Sequence, residues 1–211
     1  MTKIKQITRY LDKKYPEGNR AKWDFTDGFL EGNTEKVVEN VIVAGEISSG
    51  LLDQGEFFIL HHPPRFGSEN KITNPFYKKG KNIYTLHSRL DVSGDINRKL
   101  ASTIFRSFNY KKTLEDGTLI IELTEPETLS QVIQDIKTSL KRDTIKVIEK
   151  KQEIRWIAIH GGEGLNQHHV ERAVNEGIDL YLAGDMTHHQ AESAYFHDVS
   201  FIDIDHISEQ V

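Results

Sequence analysis

Short continuous apolar runs and longer amphipathic stretches alternate along the chain, and the two patterns predict different elements. Phe57-Phe58-Ile59-Leu60 is apolar throughout and of strand length, and Pro63-Pro64 just beyond supplies neither a ladder donor nor a helix. The pattern predicts a buried strand that stops at His61-His62. Val37-Val38 with Val41-Ile42-Val43, Asn82 to Leu86, Val147-Ile148, Ile154 to Ile159, Ile178 to Leu182 and Val199 to Ile204 read as further strands. Helical spacing runs through residues 2–14 (Ile4, Ile7, Leu11), 94–104, 125–140 (Leu129, Val132, Ile133, Ile136, Leu140), about 166–175 and 191–195, with a short helix at 48–52. Asp116-Gly117 sits between two strand-like runs and predicts a hairpin. Residues 65–80, with Gly67, Pro75, Gly80 and several lysines, read as a loop or lid. Strands alternating with helices give an α/β class, a mixed and mostly parallel sheet flanked by helices. Without an internal repeat or a low-complexity linker, residues 1–211 are expected to form one domain.

The strand ends share a chemistry. Hydrophobic runs lead into His61-His62, into His87 and Asp91, into His160-Gly161-Gly162, into Asp185 with His188-His189, and into His206 with Glu209. Parallel strands bring such ends to one edge of a sheet, where α/β proteins collect their ligands. At a strand end the pleat is no longer enforced, so His61 and His62 can both turn to one side. Imidazole is the commonest metal ligand, and a shared metal site is the leading reading of these clusters. The plain alternative for each cluster is a solvated turn whose histidines bond nearby backbone. Gly161-Gly162-Glu163-Gly164 ahead of a helix offers free amides to a phosphate, or is simply a tight turn.

Composition narrows the chemistry. The chain has ten histidines and no cysteine, so a metal must rest on imidazole and carboxylate, and disulfides are excluded. A net charge of −5 gives no global attraction to nucleic acid. The N-terminal stretch lacks a signal-peptide core and no run reaches membrane-spanning length, so a cytoplasmic protein without a membrane partner is expected.

His61-His62-Pro63, Leu86-His87-Ser88-Arg89-Leu90-Asp91, Gly184-Asp185-Met186-Thr187-His188-His189 and a terminal His206 with Ser208-Glu209 follow one another in this order. This series resembles the Nif-three-like family, whose members are known as GTP cyclohydrolase I type 2 homologues. Trp23-Asp24 with Gly28-Phe29-Leu30, and Asn97, are similar to family positions too. The resemblance covers nearly the whole chain. It implies the Nif-three-like fold, a protomer that assembles with copies of itself into a toroid (a hexamer built from dimers), and a dinuclear metal centre. By position, His61, His62, Asp91, His206 and Glu209 would be the ligands, with Asp91 or Glu209 bridging. Three imidazoles and two carboxylates suit two divalent ions per chain (Zn, Mn, Fe, Co or Ni). Metals about 3.5–4 Å apart would acidify a water and orient a phosphate or carbonyl. His87 and His188 would support the ligands or shuttle protons, or be structural.

Three departures mark this sequence. The spacing from His206 to Glu209 is one residue shorter than usual, so a turn after Asp205 is needed for both to ligate. Ser88-Arg89 replaces the usual Thr-Asn, and Arg89 would grip a substrate phosphate or carboxylate, or pair with a neighbouring acid. The early Trp23 motif is also spaced differently.

Three functions follow from these readings. The first is a metal-dependent hydrolase acting on a nucleotide or related small molecule, GTP cyclohydrolase-like. The second is a non-catalytic metal-binding or regulatory toroidal assembly. The third is a metal-dependent phosphodiesterase on nucleic acid, which would draw on Lys71, Lys78, Lys79 and Lys81 and ranks last.

Overall fold

The computed structural model describes residues 1–47, 50, 51, 53–64 and 80–206, and contacts divide the chain into two units, Met1–Ser93 and Gly94–Val211. The helix expected at 48–52 and the loop at 65–80 fall largely outside the described residues, as does Glu209.

The first unit opens with β1 (Thr2–Lys3), helix α1 (Ile4–Lys14), β2 (Gly28–Glu31), β3 (Val37–Val38) and β4 (Ile42–Ala44). It continues with β5 (Phe57–Leu60), β6 (Asn82–Thr85) and helix α2 (Ser88–Ser93). Its main sheet has the order β2-β6-β5-β4, with β4, β5 and β6 parallel and β2 antiparallel, while β1 and β3 pair as a separate ribbon. The Phe57 run is apolar throughout because both faces of β5 are covered. Phe57 packs with Ile4, Tyr15, Tyr84 and Leu86, whereas Phe58 and Leu60 pack with Ile83. Gly32, at φ 115°, lies where any side chain would strike Asn82, whose Oδ1 accepts from the Asn33 amide at 2.7 Å.

The second unit comprises α3 (Asp95–Ile104), β7 (Phe108–Thr113), β8 (Leu119–Thr128), α4 (Leu129–Leu140) and β9 (Lys146–Ile148). It ends with β10 (Glu153–His160), α5 (Gln167–Val174), β11 (Leu180–Ala183), α6 (His188–Tyr195) and β12 (Ser200–Asp203). Its sheet runs β7-β8-β10-β11-β12-β9, and only β10, β11 and β12 are mutually parallel. One core lies against α3 and α4 (Leu100, Leu129, Val132, Ile136, Ile157, Ile159) and another against α5 and α6 (Val170, Ala173, Tyr181, Ala194, Phe201).

The mixed α/β class is present, but the single, mostly parallel sheet is not. The first main sheet has three parallel strands with antiparallel β2 at one edge, whereas in the second the three parallel strands lie between antiparallel β8 and β9, with β7 added outside β8 by the hairpin at Asp116-Gly117. The helix expected from residue 125 begins at Leu129, because Glu127 and Thr128 still pair with Ile154 and Glu153. Pro126 falls in the irregularity between Glu122 and Glu127, where no ladder donor is required. Among the described residues no helix is long and apolar enough to cross a membrane.

Candidate metal centre

The parallel strands of the first unit end together, in register at Ala44, Leu60 and Thr85. Beyond β5 the chain keeps its bonding, with His61 N–H donating to the Ala44 carbonyl at 3.1 Å and His62 N–H to the Gly45 carbonyl at 2.9 Å. The two imidazoles then turn to the same side, their ring centres 4.4 Å apart. The Leu86 carbonyl, just past β6, lies 2.9 Å from His61 Nδ1. That leaves Nε2 as the ligating atom, and Nε2 lies 3.4 Å from Asp91 Oδ1.

His87 completes the cluster. Its ring centre is 5.2 Å from that of His61 and 5.3 Å from that of His62. One ligand-capable atom from each of His61, His62 and His87 lies within 4.8 Å of the others. Helix α2 explains how Asp91 joins them. The His87 carbonyl accepts from the Asp91 amide at 3.2 Å, so residues four apart stack one turn above each other. The sequence places His87 and Asp91 beyond the strand read at Asn82 to Leu86 without predicting a helix there, and it is the helix Ser88–Ser93 that brings the two together.

Asp24 fixes His87. Its Oδ2 lies 2.9 Å from His87 Nδ1 and accepts from the Ser88 amide, while Oδ1 accepts from the Thr26 amide and hydroxyl. Burial would raise this carboxyl, but the bonds from Thr26 and Ser88 and the neighbouring imidazole outweigh it and hold it at about 2. Burial lowers His87 in turn, against the pull of Asp24, so the ring is neutral at pH 7 with Nδ1 engaged and Nε2 left for a metal or a proton. Nothing in sequence spacing marks Asp24 as this partner.

Arg89 takes the structural one of its two expected roles. Only 2 % of its surface is exposed. Nε donates to Asp27 Oδ1 at 2.7 Å, Nη1 to Asp12 Oδ1 and the Tyr15 carbonyl at 2.9 Å each, and Nη2 to the Tyr84 hydroxyl at 2.7 Å. A guanidinium so engaged ties the end of α1 to α2 and has no bidentate face to offer a substrate.

The remaining expected residues lie in the second unit. His206 Nδ1 is bonded to Asp185 Oδ2. Asp205, at φ 70°, turns the chain just before His206, where the short spacing to Glu209 demands a turn. Glu209 itself is outside the described residues. His188 opens α6 on an exposed face, with its ring centre 5.5 Å from that of His189. The Gly161 and Gly164 amides donate to Asn97 Oδ1 and the Gly162 carbonyl, so this turn does not present them to a phosphate. Lys71, Lys78 and Lys79 lie outside the described residues, and Lys81 Nζ donates to the Gly55 carbonyl at 2.7 Å.

Fold and site together define a mixed α/β protein with an imidazole-rich cluster able to hold metal at the carboxyl ends of parallel strands. The chain belongs to the Duf34/NIF3 (NGG1p interacting factor 3) family, whose profile matches residues 2–211. It is 37% identical over 110 residues to a GTP cyclohydrolase 1 type 2 homolog of Staphylococcus aureus, a match covering 51% of this chain and 30% of that protein. It is 24% identical over 221 residues to a protein of the same name from Campylobacter jejuni, covering 99% of this chain and 87% of the relative. The crystal structure of Staphylococcus aureus protein SA1388 superposes with a TM-score of 0.82 at 23% identity, over 99% of this chain and 87% of that one, and shares the fold.

Proposed function

We propose that the chain is a metal-dependent hydrolase of a nucleotide or related phosphorylated small molecule, GTP cyclohydrolase-like, working as a homohexameric toroid. The observation that carries the reading is the convergence of His61, His62, His87 and Asp91 at the ends of β5 and β6. The donor set fits divalent metal: three imidazoles, with Nδ1 of His61 and His87 already engaged, and a carboxylate beside His61 Nε2. His61, His62 and Asp91 would hold it, and the family resemblance adds His206 and Glu209 to a dinuclear ligand set. Bound metal would supply Lewis acidity, lowering the pKa of water and polarising a substrate oxygen. His87, held in one orientation by Asp24, would accept or return a proton at Nε2. The nucleotide substrate draws its support from the names of the relatives.

Elemental analysis of wild type against a His61→Ala/His62→Ala variant is expected to show a loss of about two metal ions per chain, as a dinuclear centre requires. Reconstituted with Mn or Zn, the wild type should turn over GTP or another nucleotide, and Asp91→Ala should abolish that turnover. Unchanged metal content in the double variant would overturn the site. A full complement of metal without turnover of any nucleotide would overturn the hydrolase and favour the non-catalytic assembly.

A further inference from the structure

A second group of metal-capable side chains lies wholly within the second unit. Asp116 comes from the β7–β8 hairpin turn, His160 is the last residue of β10, and His169 stands in the first turn of α5. One ligand-capable atom of each lies within 4.8 Å of the others. The scaffold around them is tightly specified. Buried Asn97 donates to the Gly117 carbonyl at 2.9 Å and accepts from the Gly161 amide at 2.6 Å, pinning the hairpin turn to the end of β10. Thr118 gives its amide to Asp116 Oδ1 at 2.9 Å, and its hydroxyl lies 2.8 Å from His160 Nδ1. Asn166 caps α5 by accepting from the His169 amide, and its Nδ2 lies 2.9 Å from His169 Nδ1. The two imidazoles stack with centres 4.5 Å apart, and Gly164 packs so closely that a Cβ there would come within 2.8 Å of the His160 ring.

One atom is unaccounted for. Asp116 Oδ2 is buried and makes no hydrogen bond among the described residues. His169 Nε2 at 3.8 Å and the Arg172 guanidinium, through Nη1 at 3.7 Å, are its nearest candidate partners, both beyond hydrogen-bonding distance. A buried carboxylate oxygen in that state is costly, and such atoms are normally satisfied by water or an ion.

We propose that Asp116, His160 and His169 form a mononuclear site for a transition-metal dication of the Zn class, separate from the His61 centre. Two imidazoles and one carboxylate from three rigid elements are a zinc donor set with an open fourth position, and they disfavour Mg and Ca, which take oxygen ligands. Burial lowers both imidazoles, His160 to about 4, so both are neutral donors at pH 7. Burial would raise Asp116, but the bonds from Thr118 and the neighbouring imidazoles hold it low and therefore ionised. No proton has to leave the cluster as a whole for metal to enter. The Thr118 and Asn166 bonds at Nδ1 leave Nε2 of each ring for the metal. For His169 to ligate through Nε2 its proton must sit on Nδ1, so loading requires Asn166 to present an oxygen there. The site is thereby coupled to the cap of α5.

The test is a Zn titration of the full chain in the His61→Ala/His62→Ala background, competed against a chromophoric chelator, with Co absorption reporting the ligand field. One Zn per chain is expected to remain. Asp116→Asn and His169→Gln, added separately, should each weaken it at least tenfold without changing the melting temperature of the metal-free protein by more than a few degrees. Asn166→Asp keeps the cap and offers only acceptors to Nδ1, so it should tighten binding. No retained Zn in the double-alanine background, or retained Zn indifferent to both Asp116→Asn and His169→Gln, would overturn the site. Failure of the His61 centre reads differently, as metal content that His61→Ala/His62→Ala does not lower.

Discussion

Asp24 orders the candidate centre more than any other single side chain. Its two oxygens accept or share four hydrogen bonds, with the Thr26 amide and hydroxyl, the Ser88 amide and His87 Nδ1, while only 2 % of the residue is exposed. Asp24→Asn replaces one acceptor with an NH2 group, and in either orientation that group meets an N–H. The variant is expected to cost about 1–3 kcal/mol in urea unfolding, the penalty of a buried donor left unmatched. It should also lower turnover of the metal-loaded protein by about 10–100-fold, the usual effect of losing a partner that orients a working imidazole. Unchanged stability and turnover together would show that Asp24 does not position His87. The sequence singles out His61, His62, His87 and Asp91 because each stands where an apolar run stops. The resemblance marks Asp24 as a position but spacing does not disclose its role, because it acts across 63 positions of chain and sits in an aromatic turn with no periodicity of its own. The sequence also offers Arg89 as a substrate clamp, because the acids that neutralise it, Asp12 and Asp27, are distant in sequence.

Elements are legible where one period persists. The stripes Ile4, Ile7, Leu11 and Leu129, Val132, Ile136 emerge as read, because each faces a core, but the first helix begins at Ile4 rather than residue 2 because Thr2 and Lys3 pair with Val38 and Val37. Boundaries follow local bonds that periodicity does not see. Helix α2 is only six residues long, too short for a stripe to declare itself, yet it places Asp91 beside His61. The start of α4 is set by Thr128, whose side chain accepts from the Gln131 amide at 3.2 Å, while the preceding residues are held in the ladder with β10. Thr128→Ala should therefore destabilise the chain by about 1 kcal/mol, the typical worth of an N-cap. Thr128→Ser should restore most of it. If the alanine variant unfolds at the same denaturant concentration as wild type, pairing with β10 rather than the cap fixes that helix end.

At the scale of the whole molecule, buried histidines and buried carboxylates give the metal-free protein two successive acid-sensitive ranges. Burial holds His160 at about 4 against an ordinary 6.5, with the neighbouring His169 lowering it further and Asp116 opposing. Between those values the unfolded chain binds a proton that the folded chain does not, so stability rises with pH across the range and is lost as pH falls from about 6.5 to 4. His87 and His169 are shifted the same way, each chiefly by burial, and add to the same slope. Asp24, held at about 2 against 3.8, works in the lower range: its stabilisation is complete above 3.8 and disappears as pH falls towards 2. Chelator-treated protein unfolded in urea at a series of pH values should thus begin losing stability near pH 6.5, well above the carboxylate range. Each fully shifted histidine contributes up to about 1.4 kcal/mol per pH unit. His160→Gln should remove its share of the upper slope and leave the lower one in place. A stability curve that stays flat from pH 7 to pH 5 would mean that these histidines protonate as readily in the folded chain as in the unfolded one.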